Sequence, residues 1–334
     1  MSAQALAPGR RSGAARARLA TLLQRQGALI ALAVLLVFAS LRYEGFLTSQ
    51  NIFSVLATNA PVGLLALGMA FVIMSGGIDL SVGSVLALGS VVAAKASGGG
   101  ILVGMAAGVA AGAAVGLFNG AVVTGLRIQP FIVTLATLLG ARGLALTIAD
   151  NRSVDINFDA GFNYLGEGTI LGVTFPVWIL LASFAVGVVV LRLARFGRHV
   201  LAVGGNEEAA RMMGLRVDRV KVAVYVASGA LAGLAGALLA SQNYAGQPTA
   251  AVGYELSAIA AVVVGGTLLT GGMGSIATTF VGVLLLGLVF NMLNFENGQG
   301  VFSLSAYWQS VVRGAFLLVV VVLQARLMTR TRAG

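Results

Sequence analysis

The chain has 334 residues, 58% of them hydrophobic and only 10% charged, with a mean hydropathy of +0.96 and a formal net charge of +10. A soluble domain carries about a quarter charged residues, so this composition excludes an ordinary water-soluble globule. The lack of cysteine and the single histidine exclude disulfides, thiolate metal sites, cysteine nucleophiles and a His-rich metal centre. The basic residues sit at the ends of apolar runs, which argues for membrane sidedness and against nucleic acid as a partner.

Apolar runs of about 20 residues can cross a bilayer as helix. Residues 1–26 carry Arg10, Arg11, Arg16, Arg18 and Arg25 and no acidic residue. No clear small-residue cleavage site follows, so the segment reads as a retained cytoplasmic tail and not as an export signal. Ten spans follow, near 27–41, 52–75, 80–97, 101–125, 130–149, 174–194, 219–241, 255–270, 275–293 and 303–324. An even number puts both termini on one face. That face then receives the N-terminal tail, Arg127, the 192–221 loop and Arg326, Arg330 and Arg332, together sixteen of the 21 basic residues. The opposite face receives Asp150, Asp155, Asp159 and Glu167 against Arg152 alone. The positive-inside rule makes the first face cytoplasmic. The expected fold is an all-α integral membrane protein, a polytopic bundle of about ten transmembrane helices. Its single transmembrane domain covers 27–325 between basic tails at 1–26 and 326–334, with a cytoplasmic loop at 195–221.

Within the fourth span, glycine recurs every four residues from Gly104 through Gly108, Gly112 and Gly116 to Gly120. This makes a flat helix face on which another helix can pack closely. Two other stretches break helices. In Ser75-Gly76-Gly77-Ile78-Asp79-Leu80-Ser81-Val82-Gly83-Ser84, paired glycines precede a carboxylate within an apolar region. Asp79 and Ser81 are expected to cap the following helix, a role compatible with lining a pathway through a discontinuous helix. The second break, Gly265-Gly266-Thr267 to Ser275, echoes the first. Neither contains the Gly-Lys-Ser/Thr of a phosphate-binding loop, and Lys95 and Lys221 are the only lysines. Asn59, Asn119, Gln129, Thr134, Arg142, Glu255, Asn291 and Asn294 are polar residues in or near spans. They suit either structural hydrogen bonds or a path for a hydroxyl-rich ligand.

The cytoplasmic loop carries Gly204-Gly205-Asn206-Glu207-Glu208-Ala209-Ala210-Arg211-Met212-Met213-Gly214. Asn206 is a good N-cap, the two glutamates suit a first turn, and Gly214 is a natural stop. The helix would be about two turns long, marginal alone, and would expose two methionines of the kind found on docking surfaces. A solvated loop with an incidental helical turn is the competing reading.

Three stretches together resemble the permease subunits of ABC importers of the ribose/xylose/galactofuranose type: residues 76–84, residues 202–211, and Gly253-Tyr254-Glu255-Leu256-Ser257 on to Thr267. The likeness runs in order from about residue 28 to 325. It implies two permeases, identical or paralogous, paired in the inner membrane. It also implies a cytoplasmic ATPase that binds ATP and magnesium, and a periplasmic sugar-binding protein. This chain would be non-catalytic and hold no cofactor. The resemblance makes 206–214 the coupling helix, with Gly204, Gly205, Asn206, Glu207, Ala209, Ala210, Arg211 and Gly214 facing the ATPase. Asn59, Asp79, Ser81, Asn119, Gln129, Glu255 and Asn294 are the candidate path residues. The segment Asn294 to Tyr307 departs from the ribose-type pattern in length. An ion-coupled secondary transporter is the alternative, since broken helices and Asp79 would suit it.

Overall fold

The computed structural model describes residues 27–299 and the helical positions 308, 311, 314 and 315. The tails at 1–26 and 326–334 and nearly all of the expected 303–324 span lie outside the described residues. Helices dominate. They are α1 (Gly27–Arg42), α2 (Ser49–Met74), α3 (Val82–Ala96), α4 (Ile101–Gly125), α5 (Pro130–Ile148), α6 (Tyr164–Glu167), α7 (Phe175–Arg192), α8 (Arg195–Gly205), α9 (Glu207–Met212), α10 (Val217–Gln242), α11 (Tyr254–Val264) and α12 (Ile276–Gln299). Among the described residues seven helices are long and apolar enough to cross a membrane, and α1 and α11 are shorter apolar helices. Nine of the ten expected spans thus fall on helices, in an all-α polytopic membrane protein.

The strands are two-residue pieces. β1 (Val154–Asp155) pairs antiparallel with β4 (Ala245–Gly246), Val154 opposite Gly246. β2 (Thr169–Ile170) and β3 (Val173–Thr174) form a small hairpin. Both lie at one end of the bundle. The opposite end holds α8, α9 and most of the basic side chains, and is called the basic end below.

α2 and α10, each 26 residues, form the centre of the bundle. α2 contains Pro61, which cannot donate to the carbonyl of Ala57. In hydrocarbon that orphaned acceptor would cost several kcal/mol. The side chain of Gln242, at the far end of α10, donates its Nε2 to that carbonyl (2.9 Å). The proline is thereby tolerated in a buried helix.

α4 lies on α10 through the glycine stripe expected from sequence. Gly104, Gly108, Gly112, Gly116 and Gly120 are all buried. A Cβ at Gly112 would lie 2.8 Å from the Gly233 amide nitrogen, and one at Gly120 would lie 2.8 Å from the Val222 Cα. At the other side of the contact, a Cβ at Gly236 would lie 2.6 Å from the Ser90 nitrogen of α3. Three helices therefore meet backbone against backbone. Membrane helices gain little from hydrophobicity when lipid is the alternative, so such close packing is what holds them together.

The two predicted helix breaks are real and share a geometry. α2 ends with Gly76 N donating to Ile73 O and Gly77 N to Val72 O. α11 ends with Gly266 N donating to Val263 O and Thr267 N to Val262 O. Gly76 and Gly266 take φ of +85° and +84°, the left-handed conformation that closes such a helix end. The sequence echo is thus a repeated C-terminal cap.

One break was not foreseen. The expected 255–270 span is only 11 residues of helix, about 16 Å long. Residues 243–253 instead run back into the bundle in non-helical conformation along α3. A Cβ at Gly246 would touch the Val91 Cα (2.8 Å), and further on a Cβ at Gly83 would touch the Ala251 carbonyl oxygen (2.8 Å). α11 consequently begins in the interior. Arg142 of α5 makes this possible. Its Nη1 donates to the carbonyls of Pro248 (2.6 Å) and Ala250 (2.7 Å), acceptors that no helix satisfies. Irregular backbone at membrane depth requires such protein partners.

Candidate translocation and coupling sites

The first polar cluster forms where α3 begins. Asp79 is 1% exposed. Its Oδ1 accepts from the backbone N (3.0 Å) and Oγ (2.6 Å) of Ser81, and its Oδ2 accepts from Ser228 Oγ of α10 (3.0 Å). Ser81 Oγ in turn accepts from Asn119 Nδ2 of α4 (3.0 Å). The predicted capping is therefore divided. Asp79 satisfies the Ser81 amide, whereas the Ser81 hydroxyl makes no cap bond, although Ser81 holds the N-cap position. Asn119 Oδ1 and the Tyr225 hydroxyl are buried without a hydrogen-bond partner. Tyr225 faces the break, since a Cβ at Gly77 would lie against its hydroxyl. The sequence placed Asp79, Ser81 and Asn119 on the path separately; the fold joins them. Ser228 and Tyr225 were missed, and a lone serine or tyrosine within an apolar span gives little signal.

A second polar site is a cavity of about 190 Å³ between the first half of α2, the start of α11 and the second half of α12. Its wall includes Asn59, Tyr254, Ser257, Phe290, Asn291 and Asn294. Asn59 Nδ2 donates to Val55 O (2.8 Å), and Asn291 forms a reciprocal amide pair with Asn51 (3.0 and 3.2 Å). Asn59 and Asn294 were expected on the path and meet here. Glu255 lies beside the cavity in the first turn of α11, with Oε1 accepting from Gly253 N (3.2 Å) and Oε2 against Gly83. Gln129 joins neither cluster. It is exposed at the start of α5, where its carbonyl accepts from Ile132 N (3.0 Å).

The third site is at the basic end. Asn206 Oδ1 accepts from Ala209 N (2.9 Å), starting α9 as expected. Gly214 takes φ +82° and ends it. Ala210 is fully buried, while Met212 and Met213 are 83% and 73% exposed. An ion-pair network that sequence reasoning missed ties α9 to α10. Glu207 pairs with Lys221 and with Arg211 (3.4 Å), and Arg211 pairs with Asp218 (2.9 Å). α8, also unforeseen as a helix, buries Gly197, Val200 and Val203 and leads into α9.

The end of α8 touches both helix breaks. Gly204 packs on the Met74 carbonyl, the last residue of α2, and a Cβ on it would also lie 2.7 Å from Gly272 N. Gly272 N donates to Met74 O (3.0 Å). A Cβ at Gly271 would lie 2.9 Å from the Gly204 oxygen and 2.9 Å from the Gly76 Cα. The 75–81 break, the 265–275 break and the root of α9 therefore form one backbone junction. Among the described residues no group of three or more His, Cys, Asp or Glu could hold a metal ion.

Interrupted helices around a polar cavity, with a charged helical pair seated on the interruptions, define a polytopic membrane transport protein. The chain belongs to the family described as branched-chain amino acid transport system / permease component, which matches residues 51–322. It is 41% identical over 307 residues to the ribose import permease protein RbsC of Bacillus subtilis, covering 91% of this chain and 94% of that one. It is 41% identical over 304 residues to RbsC of Escherichia coli K12, covering 90% and 93%. It is 38% identical over 331 residues to the L-arabinose ABC transporter permease protein AraH of Azospirillum brasilense, covering 98% and 94%. No solved structure matches the chain.

Proposed function

We propose that this chain is the membrane-spanning permease subunit of an ABC importer for a simple sugar in the bacterial inner membrane. The observation that carries the reading is the backbone junction. The root of the short α9 helix touches both helix breaks through Gly204 and Gly272, so a push on α9 reaches the interrupted spans directly. Kinship with ribose and arabinose permeases over nine-tenths of the chain supports a pentose-type cargo. The relatives give no support to the ion-coupled reading.

In this mechanism α9 is the coupling helix. An ATPase subunit, which binds ATP and magnesium and performs the hydrolysis, docks on Met212, Met213 and the exposed parts of Glu207 and Arg211. A second permease, a copy or a paralogue, pairs with this one, and a periplasmic binding protein delivers the sugar. Both termini are cytoplasmic, with the basic end inside, as the charge distribution favours. The chain performs no covalent chemistry. It alternates between inward- and outward-open arrangements as the ATPase closes and opens.

Reconstitution of the permease with its ATPase and binding protein in lipid tests this. Sugar uptake is expected only with ATP, and Glu207→Arg is expected to reduce uptake and ATPase coupling by setting a cation against Lys221. Uptake driven by a proton or sodium gradient without ATP, or unaltered coupling in Glu207→Arg, overturns it.

A further inference from the structure

We infer that the cavity between α2, α11 and α12 is a holding site for one neutral monosaccharide within the permease, a reading that rests on the importer function proposed above. Its volume is about 190 Å³. A pentose needs on the order of 150 Å³, about five times a water's share of liquid volume. The cavity is large enough to admit a pentose.

The wall has the chemistry of carbohydrate recognition. Asn59, Asn291 and Asn294 are carboxamides, and each can donate and accept at once, as a sugar hydroxyl does. Although Asn291 is paired with Asn51, its amide donates one N–H and accepts one bond in that pair, and so retains an N–H and an acceptor lone pair. Ser257 adds a hydroxyl, and Tyr254 and Phe290 add aromatic surface for the apolar faces of a ring. α12 is cut away to admit one of these groups. A Cβ at Gly287 would sit 2.6 Å from Asn59 Nδ2, so the absence of a side chain there lets the Asn59 amide enter the cavity.

The described part of this wall suits an amino acid less well. Among the described residues no Asp, Glu, Lys, Arg or His lines it, and a zwitterion stripped of water needs countercharges. The start of α11 does not serve a ligand carboxylate, because the Glu255 carboxylate already occupies its first turn and accepts from Gly253 N. Within a family described by branched-chain amino acid transport, this cavity selects the uncharged polyol.

Its place in the fold suits a holding site. The wall uses the half of α2 and of α12 remote from the Gly204 junction, and the first turn of the interior half-helix α11. The ligand would rest between the delivering side and the helix ends that α9 moves.

Thr58 also lines the cavity and the chain has no cysteine, so a single Thr58→Cys variant in the reconstituted importer reports on the cavity wall. Its modification by a charged, membrane-impermeant thiosulfonate is expected to slow about tenfold with D-ribose or L-arabinose, and not with leucine. A Met213→Cys control is expected to be unaffected. The second measurement is uptake by Asn59→Leu with Asn291→Leu. We expect Vmax/KM to fall at least about tenfold, from loss of two hydrogen-bonding side chains, while nucleotide-driven ATPase activity persists. Protection by leucine, protection by neither sugar, or full uptake by the double variant overturns the site and leaves the importer standing. A wild-type complex that takes up neither sugar with ATP overturns the importer reading and the site with it.

Discussion

Gly204→Ala is the sharpest perturbation of the coupling path. The added methyl would lie 2.7 Å from Gly272 N and 2.9 Å from the Met74 carbonyl carbon, and would collide with the Met74 oxygen. Ordinary carbon contacts begin near 3.5 Å, so backbone must move by about 0.7 Å or more. None of these atoms is the free end of a side chain. Overpacking of this kind costs about 1–3 kcal/mol. Disturbing the Gly272 N to Met74 O bond (3.0 Å) adds about 1 kcal/mol. A penalty of roughly 2–4 kcal/mol is a factor of about thirty to a thousand in whichever conformational equilibrium needs the tight junction. The assay is sugar taken up per ATP hydrolysed in proteoliposomes, alongside thermal stability in detergent. The expected result is a falling ratio with α9 still docked on the ATPase, because α9 is capped by Asn206 and tied to α10 independently. Wild-type uptake per ATP in Gly204→Ala would refute the reasoning. So would a variant that merely loses the ATPase altogether.

Three other outcomes follow from the packing. Gly233→Leu inserts a side chain into the α4–α10 seam, where a Cβ would already lie 2.8 Å from the Gly108 carbonyl carbon. Expression of folded protein, read by size exclusion in detergent, is expected to collapse. Arg142→Met leaves the Pro248 and Ala250 carbonyls without their donor. With about 1–3 kcal/mol lost per buried orphan, the 243–253 segment should become accessible to protease or hydrogen exchange before the helices do. Met212→Glu with Met213→Glu alters two exposed side chains and no buried contact. The permease should keep its thermal stability while its affinity for the ATPase falls about tenfold or more, measured by co-purification or surface binding.

Composition and periodicity settle much of this molecule because the bilayer is a demanding solvent. Spans must be apolar and of fixed length, so the sequence determined the helical class, nine of the helix positions and, through basic residues, the proposed orientation. Local rules also sufficed for Asn206 and Gly214, because caps depend on neighbours within one turn, and for the Gly104–Gly120 face, because every fourth residue shares a side. What only the tertiary structure decided involves residues far apart in the chain. Tyr254 to Val264 reads as the start of a span, yet α11 is a half-helix, because Arg142 supplies donors to a segment 106 and 108 residues away. Pro61 looks like a defect until Gln242 reaches its orphaned carbonyl. Asp79 gave no hint of Ser228, nor Asn291 of Asn51, because polar residues in an apolar run show no register toward partners on other helices. The Gly204, Gly76 and Gly272 junction is likewise invisible in one dimension. Glycine in sequence marks permission for close approach, and only the fold specifies what approaches.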